Sequence, residues 1–99
     1  MKRIKLIIQF LGKNYSGWQI QPNVRTIQGE ITRAIAEVTG ENVEVVGCSR
    51  TDAGVSAIGL VAHFDTESRI NPDSFGKAIN TKLPEDIRVL DSCEVGIDF

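Results

Sequence analysis

The chain has few cysteines, few aromatic residues and no surplus of positive charge. Its 99 residues include 2 cysteines, 1 histidine and 6% aromatic residues, and the formal net charge is -2. The spacing of Cys48 and Cys93 matches no metal site and no dense disulfide framework, so we expect free, buried thiols. The acidic balance excludes a uniformly basic surface. Any contact with nucleic acid therefore requires a local cluster of Lys and Arg.

Long apolar runs are also missing. The N-terminal stretch MKRIKLIIQFL is too short to span a bilayer, and no small-residue cleavage site follows it. We interpret it as a strand, and we expect a cytoplasmic location, reduced cysteines and no membrane association. No linker, repeat or low-complexity tract divides the chain. With 41% hydrophobic and 24% charged residues, residues 1–99 are predicted to form one globular domain.

Apolar residues recur with the period of strands and helices. Strands are predicted at residues 3–11, 43–47, 57–66 and 86–95. The inward face of the first strand consists of Ile4, Leu6, Ile8 and Phe10. The inward face of the third consists of Ile58, Leu60, Ala62 and Phe64. Because Ile7 and Leu11 fall on the opposite face, we expect the first strand to be central and covered on both sides.

Two helices are predicted between these strands. Thr26 is a suitable N-cap for a helix that ends at Gly40, and Asn71 followed by Pro72 opens a second helix. Leu83 precedes a proline, so the second helix is expected to close there. The order β-α-β-β-α-β indicates an α+β, ferredoxin-like antiparallel sheet with both helices on one face and the other face open.

The segment CSRTDAGVSAIG (48–59) lies between the second and third predicted strands. In extended chain Arg50 and Asp52 point to the same side, and a guanidinium nearby favours the ionised carboxylate that a nucleophile or general base needs. Ala53 and Gly54 keep steric bulk low, so a ligand can approach. An ordinary β-turn with a surface aspartate explains the same residues. The segment alone leaves both interpretations open.

Asp-Ala-Gly also resembles the loop of aspartic proteases, in which two carboxylates share a proton. Here Arg50 and Thr51 stand immediately before Asp52, and a cation at that position opposes a shared proton. The helix predicted from Thr26 also contradicts an all-β protease half. We therefore set the protease interpretation aside.

The segment YSGWQIQPNVRTIQ (15–28) combines aromatic rings with amides and Arg25. Tyr15 and Trp18 can stack on bases, and Gln19 and Gln21 can read base edges. The alternative is a loop that one buried aromatic residue holds in place. His63, in the third strand, is interpreted as a structural histidine.

Four elements in order resemble the tRNA pseudouridine synthases of the TruA family. They are Tyr-x-Gly-Trp-Gln-x-Gln (15–21), Thr-Ile-Gln (26–28), Arg-Thr-Asp-Ala-Gly-Val (50–55), and Val-x-His-Phe (61–64) with Leu-Pro-x-Asp-Ile (83–87). The resemblance covers essentially the whole chain. It implies isomerisation of uridine to pseudouridine in the anticodon arm of tRNA, without cofactor or metal.

The resemblance also implies roles for single residues. Asp52 corresponds to the catalytic aspartate, and Arg50 to the arginine that helps extrude the target base. Thr51, Arg25, Gln19 and Gln21 are predicted to contact RNA. Ala53, Gly54 and Val55 are predicted to shape the loop. On charge alone, Lys2, Lys5 and Lys13 are candidates for phosphate contacts.

This chain departs from the family pattern at two positions and in length. Ser49 stands where the family usually has Gly before the arginine, and Ser56 where it usually has His after the valine. Family members have two similar domains with the active-site cleft between them, and some of the site residues come from the second. We therefore expect this chain to resemble the N-terminal half, to need a C-terminal domain, and to have low or no activity alone. A homodimer of the full-length protein is a further expectation, and the alternative function is a non-catalytic, ferredoxin-like RNA-binding module.

Overall fold

A computed structural model describes residues 1–48, 54 and 56–99. The strands and helices alternate along the chain as the sequence predicts. In order they are β1 (Lys2–Phe10), α1 (Ile27–Thr39), β2 (Val46–Gly47), β3 (Ala57–Thr66), α2 (Phe75–Asn80) and β4 (Ile87–Val95). Short 3-10 turns at Gly12–Asn14 and Pro72–Ser74 follow β1 and precede α2.

The four strands form one antiparallel sheet in the order β2-β3-β1-β4. Strand β1 is therefore central, as predicted. Both helices bury their apolar residues in the same core cluster as the inward faces of β1 and β3. The prediction of an α+β, ferredoxin-like sheet with two helices on one face is confirmed.

Side chains at the ends of the helices explain where they begin and end. Thr26 caps α1, since its hydroxyl accepts the Gly29 N–H at 3.2 Å, and Gly40 ends it in the left-handed conformation with φ of 76°. The carbonyl oxygen of the Asn71 side chain accepts the Asp73 N–H at 3.0 Å. These caps were predicted. The second helix is shorter than predicted at both ends, because its first turn is a 3-10 turn and it ends at Asn80, before the predicted end at Leu83.

The predicted strand at 43–47 is reduced to Val46–Gly47. Val45 is fully buried, but its carbonyl oxygen accepts the side-chain N–H of Gln28 at 2.7 Å. A bond from α1 thus occupies an acceptor that strand pairing would otherwise use.

Ile58 was predicted to lie on the inward face of β3, and this prediction is wrong. Gln9 pairs with Ile58 whereas Ile8 pairs with Leu60, so Gly59 is an extra residue in the ladder. Its φ of 86° identifies a bulge at a position that favours glycine. The bulge reverses the alternation, leaving Ile58 83% exposed and Leu60 only 6% exposed.

The sheet face away from the helices is open, so the prediction that β1 is covered on both sides is wrong for this chain. Of the described residues, those after β4 contact this face: Arg3 donates to the Ile97 carbonyl at 2.6 Å, and the Phe99 ring meets His63 edge-on at 5.7 Å. Phe10 and Phe64 are buried in the core, as predicted. They cannot supply the surface aromatics that a non-catalytic RNA-binding module would use.

The cysteine prediction is half right. Cys48 and Cys93 are free, but Cys48 is exposed and Cys93 is only partly buried. Among the described residues, no helix is long and apolar enough to cross a membrane.

Candidate active site

The loop between β2 and β3 is described at its borders only. Before the loop, the Cys48 N–H donates to the Val61 carbonyl at 2.9 Å, which continues the pairing of β2 with β3. The predicted roles that fall outside the described residues are those of Arg50, Thr51, Asp52, Ala53 and Val55. The structure therefore locates the loop through the residues that flank it.

Two hydrogen bonds join the end of the loop to the segment that follows β1. The Gly54 N–H donates to the Tyr15 carbonyl at 3.1 Å, and the Gly12 N–H donates to the Ser56 hydroxyl at 2.9 Å. The departure from the family pattern at Ser56 thus has a structural function here: its hydroxyl accepts a backbone donor.

Gly54 was predicted to make room for a ligand, but its backbone geometry gives a different reason for a glycine. Its φ is 79°, in the left-handed region that side chains with a Cβ rarely adopt. A Cβ added at this position would meet none of the described atoms within 4 Å. Conformation, and not crowding by those atoms, favours glycine here.

Tyr15 lies at the centre of a polar cluster beside the loop. Tyr15 is 4% exposed, and its hydroxyl donates to the Asp86 carboxylate. The Arg25 guanidinium covers the ring at 4.9 Å from its centroid and also donates to the Tyr15 hydroxyl oxygen at 3.3 Å. Arg25 in turn lies 3.6 Å from the Glu30 carboxylate. The cluster links the loop border to α1 and to the start of β4.

Burial and the Asp86 carboxylate raise the pKa of Tyr15 well above its ordinary value. Burial is the larger cause, because a phenolate loses its hydration there, and the hydrogen bond to Asp86 further stabilises the protonated form. Arg25 opposes these effects, since its positive charge favours the phenolate. In the folded protein Tyr15 is therefore a neutral hydrogen-bond donor throughout the physiological range.

We expect this shift to be measurable because Tyr15 is the only tyrosine in the chain. Phenolate absorbance should appear only above pH ~10, the ordinary midpoint, and the urea-unfolded chain should titrate near that value. In Asp86→Asn the midpoint should fall toward the ordinary value, because one of the two main causes is gone. The raised pKa also means that this group's contribution to stability, complete below pH ~10, is lost as the pH rises further. A folded chain that titrates like the unfolded one would contradict the buried Tyr15–Asp86 bond.

Tyr15 and Trp18 were predicted to be able to stack on bases. This prediction is wrong, because both rings are buried. Trp18 is 3% exposed and packs on Gly47, where an added Cβ would lie 2.8 Å from the indole. The Gln28 side chain accepts the Ile20 N–H at 3.0 Å and so closes the segment after Trp18. The alternative was a loop that one buried aromatic residue holds in place, and the structure has two such residues, Tyr15 and Trp18.

Residues 19–25 form a continuous exposed stretch next to these buried rings. Gln19 is exposed, and Gln21 is exposed with its side-chain amide bonded to the Ser16 carbonyl at 3.2 Å. The Arg25 side chain is 51% exposed. Their roles in RNA contact stay predictions, although all three are accessible to a ligand.

The lysine candidates do not lie together. Lys13 belongs to the turn Gly12–Asn14, directly beside the loop border. Lys2 is at the opposite end of β1, roughly 26 Å away at the rise of an extended strand, and donates to the Ile70 carbonyl at 3.1 Å. Lys5 lies between them, with its ammonium 6.0 Å from the Phe99 ring centroid. Only Lys13 adjoins the candidate site.

Asp86 and Glu30 had no predicted role. Asp86 belongs to the Leu-Pro-x-Asp-Ile element, but its partner Tyr15 is 71 residues away along the chain. No periodicity or spacing rule connects residues so far apart. The sequence identifies the two elements that contain Tyr15 and Asp86, whereas the hydrogen bond between these residues is visible only in the structure.

The sequence model of a family described as tRNA pseudouridine synthase matches residues 6–99. A relative from Ruminiclostridium cellulolyticum, named tRNA pseudouridine synthase A, is 52% identical over 99 residues, covering 100% of this chain and 40% of the relative. The protein of that name from Clostridium kluyveri is 54% identical over 99 residues, with 41% of its length covered. In Rippkaea orientalis the identity is 51% over 98 residues, covering 99% of this chain and 33% of the relative. The chain thus spans well under half the length of these relatives.

Proposed function

Because this chain belongs to the tRNA pseudouridine synthase family, we propose that it is the part of such an enzyme that carries the catalytic aspartate. In this proposal the full-length protein converts uridine to pseudouridine in the anticodon arm of tRNA. The carrying observation is the match of the family to residues 6–99, which includes the whole Arg-Thr-Asp-Ala-Gly-Val element. The hydrogen bonds that hold the end of this loop beside Arg25 support it.

The proposed reaction moves one bond and one proton. The bond between C1′ of the ribose and N1 of the base breaks, a bond between C1′ and C5 forms, and the proton on C5 leaves while N1 gains one. Atoms and charge therefore balance without an oxidant or reductant. Asp52 attacks or deprotonates the nucleotide as the glycosidic bond breaks. Arg50 helps to extrude the base, because the reacting atoms are out of reach while the base is stacked.

The exposed stretch 19–25 is the proposed RNA contact next to this loop. Arg25 has half of its side chain accessible and is joined to the loop border through Tyr15. Its charge can meet a phosphate, and the exposed amides of Gln19 and Gln21 can meet phosphate, sugar or base edges. Thr51 is proposed to contact RNA from the loop itself, with Ala53, Gly54 and Val55 shaping the loop.

The proposal includes a second domain, since the relatives are more than twice as long as the matched region. Residues from that domain would complete the cleft. It also includes a cytoplasmic location, where tRNA is found, and, from the resemblance alone, a homodimer of the full-length protein. The isolated chain 1–99 is proposed to fold as a single domain but to turn over poorly.

Tritium release tests the activity directly. Full-length protein incubated with tRNA that carries uridine tritiated at C5 should release tritium into water, because the C5 proton leaves during the reaction. Residues 1–99 alone should release little or none, since half of the cleft is absent.

Two results would contradict parts of this proposal. Turnover by residues 1–99 at the full-length rate would show that no second domain is needed. An inactive full-length protein on unmodified tRNA transcripts would overturn the activity itself. Transcripts with uridine replaced by cytidine throughout the anticodon arm serve as the matched substrate control, and they should give no release from that arm.

A further inference from the structure

The segment from Leu11 to Tyr15, which we name the tether, is hydrogen-bonded at both ends to Asp86, the residue directly before β4. At its start the Leu11 N–H donates to the Asp86 carbonyl at 2.9 Å, and at its end the Tyr15 hydroxyl donates to the Asp86 carboxylate. Main chain and side chain of Asp86 thus hold both ends. The Gly12–Asn14 turn between them is closed by the Tyr15 N–H bonded to the Gly12 carbonyl at 3.0 Å.

The tether also holds the end of the catalytic loop. Its Gly12 N–H bonds to Ser56, and its Tyr15 carbonyl accepts the Gly54 N–H. Gly54 and Ser56 follow Asp52 by two and four residues, so the tether binds the chain close to the aspartate in sequence. The side chain of Tyr15 therefore binds Asp86 while its main chain binds the loop, and one residue connects the two.

The Tyr15–Asp86 hydrogen bond contributes to stability because the Tyr15 hydroxyl is buried. A phenol hydroxyl that is buried with its ring needs a partner, and a charged acceptor gives a stronger bond than a neutral one. Arg25 packs over the ring, so water is kept from one side of it. Without Asp86 the hydroxyl would have the partly exposed Arg25 beside it, which can only donate. Without the carboxylate, the bond from the Leu11 N–H to the Asp86 carbonyl would be the one that still joins the tether to Asp86.

We propose that Tyr15 and Asp86 are positioning residues for Asp52: their hydrogen bond holds the tether, and the tether holds the loop that carries the aspartate. The inference rests on the proposed function, because it assigns residues to the same reaction. Neither residue needs to touch the substrate. Misplacement of a reacting group by about 1 Å can lower the rate about a hundredfold. Loss of the Tyr15–Asp86 bond, which supports the tether that binds Gly54, can therefore lower the rate strongly.

The test uses Tyr15→Phe and Asp86→Asn in the full-length protein. Tyr15→Phe keeps the packed ring and removes the hydroxyl, with its bond to Asp86 and its weaker bond from Arg25, whereas Asp86→Asn keeps the shape, removes the charge and leaves the Arg25 bond in place. We expect kcat for tritium release to fall about 10- to 100-fold in each, with KM for tRNA unchanged. The double variant should be no slower than the slower single one, because both changes break the same bond.

Asp65→Asn is the matched control. It also removes a carboxylate with a long-range side-chain partner, Arg3 at 2.8 Å, but it lies on β3 far from the tether. Asp65→Asn should leave kcat unchanged. It should nevertheless weaken the fold, because the Arg3 hydrogen bond that lowers the pKa of Asp65 stabilises the ionised carboxylate in the folded chain. Should Asp86→Asn fail to fold, Tyr15→Phe decides alone.

The outcomes separate this inference from the proposed function. An active wild type with unchanged kcat in Tyr15→Phe overturns the positioning role only. A raised KM at constant kcat also overturns it, since the two residues would then act in binding. A loss of kcat that merely follows the folded fraction measured by circular dichroism overturns it as well. A wild type as inactive as Asp52→Asn overturns the proposed function, and this inference with it.

Discussion

Asp52→Asn is expected to abolish pseudouridine formation by the full-length protein while tRNA binding stays close to that of the wild type. The asparagine amide has nearly the shape of the carboxylate but no charge, so it can neither attack C1′ nor accept a proton efficiently. We expect the rate of tritium release to fall by at least about a thousandfold. Removing a negative charge does not weaken contacts with phosphates, and a gel-shift titration should therefore give an unchanged or slightly lower Kd.

The control for this change is Asp73→Asn. Asp73 is an exposed aspartate in the turn Pro72–Ser74, and only its backbone N–H takes part in the cap of that turn. It should keep both turnover and binding. Retained turnover in Asp52→Asn would rule out Asp52 as the nucleophile or base. Loss of binding together with turnover would instead assign Asp52 a part in holding the RNA.

The parts of the fold that depend on near neighbours could be predicted from the sequence. The caps at Thr26, Gly40 and Asn71 act on donors or conformations within a few residues. The alternation of β1 was equally readable, because its pairing with β3 is regular from Lys2 to Ile8. Element order also indicated the ferredoxin-like arrangement, in which each β-α-β unit has a strand of the other unit between its two strands.

The parts that depend on distant contacts could not be predicted. The sequence predicts that Val45 belongs to a strand, but its carbonyl oxygen accepts a hydrogen bond from the Gln28 side chain on α1. In the candidate site, the Arg-Thr-Asp-Ala-Gly-Val element was identified by resemblance, because the residues alone fit a turn as well as a catalytic loop. The tether was not identified, because the bond between Tyr15 and Asp86 joins residues that only the folded chain brings together. A sequence element thus identifies the loop, whereas the contacts that hold it form between residues distant in sequence.

Leu60→Ala is expected to lower the free energy of unfolding of residues 1–99 by about 2–5 kcal/mol, whereas Ile58→Ala should change it by less than about 1 kcal/mol. Both changes shorten an aliphatic side chain on β3, two residues apart, and simple alternation puts both on the inward face. Leu60 is 6% exposed and Ile58 is 83% exposed, so only the first leaves a cavity. Urea unfolding followed by circular dichroism measures both, and an unchanged m value would show that the transitions are comparable.

This pair tests the bulge at Gly59 because regular alternation would bury both side chains, whereas the bulge buries Leu60 and exposes Ile58. If β3 kept its alternation through Gly59, Ile58 would be buried and both alanine variants would lose stability to a similar degree. Equal losses would therefore contradict the bulge. The result also bears on the site, since the residues directly before Ile58 are Ala57, which pairs with Phe10, and Ser56, which binds the tether. A strand that stayed in regular register would shift Ser56 relative to Gly12, so the bulge is part of what brings the end of the loop between β2 and β3 to the tether.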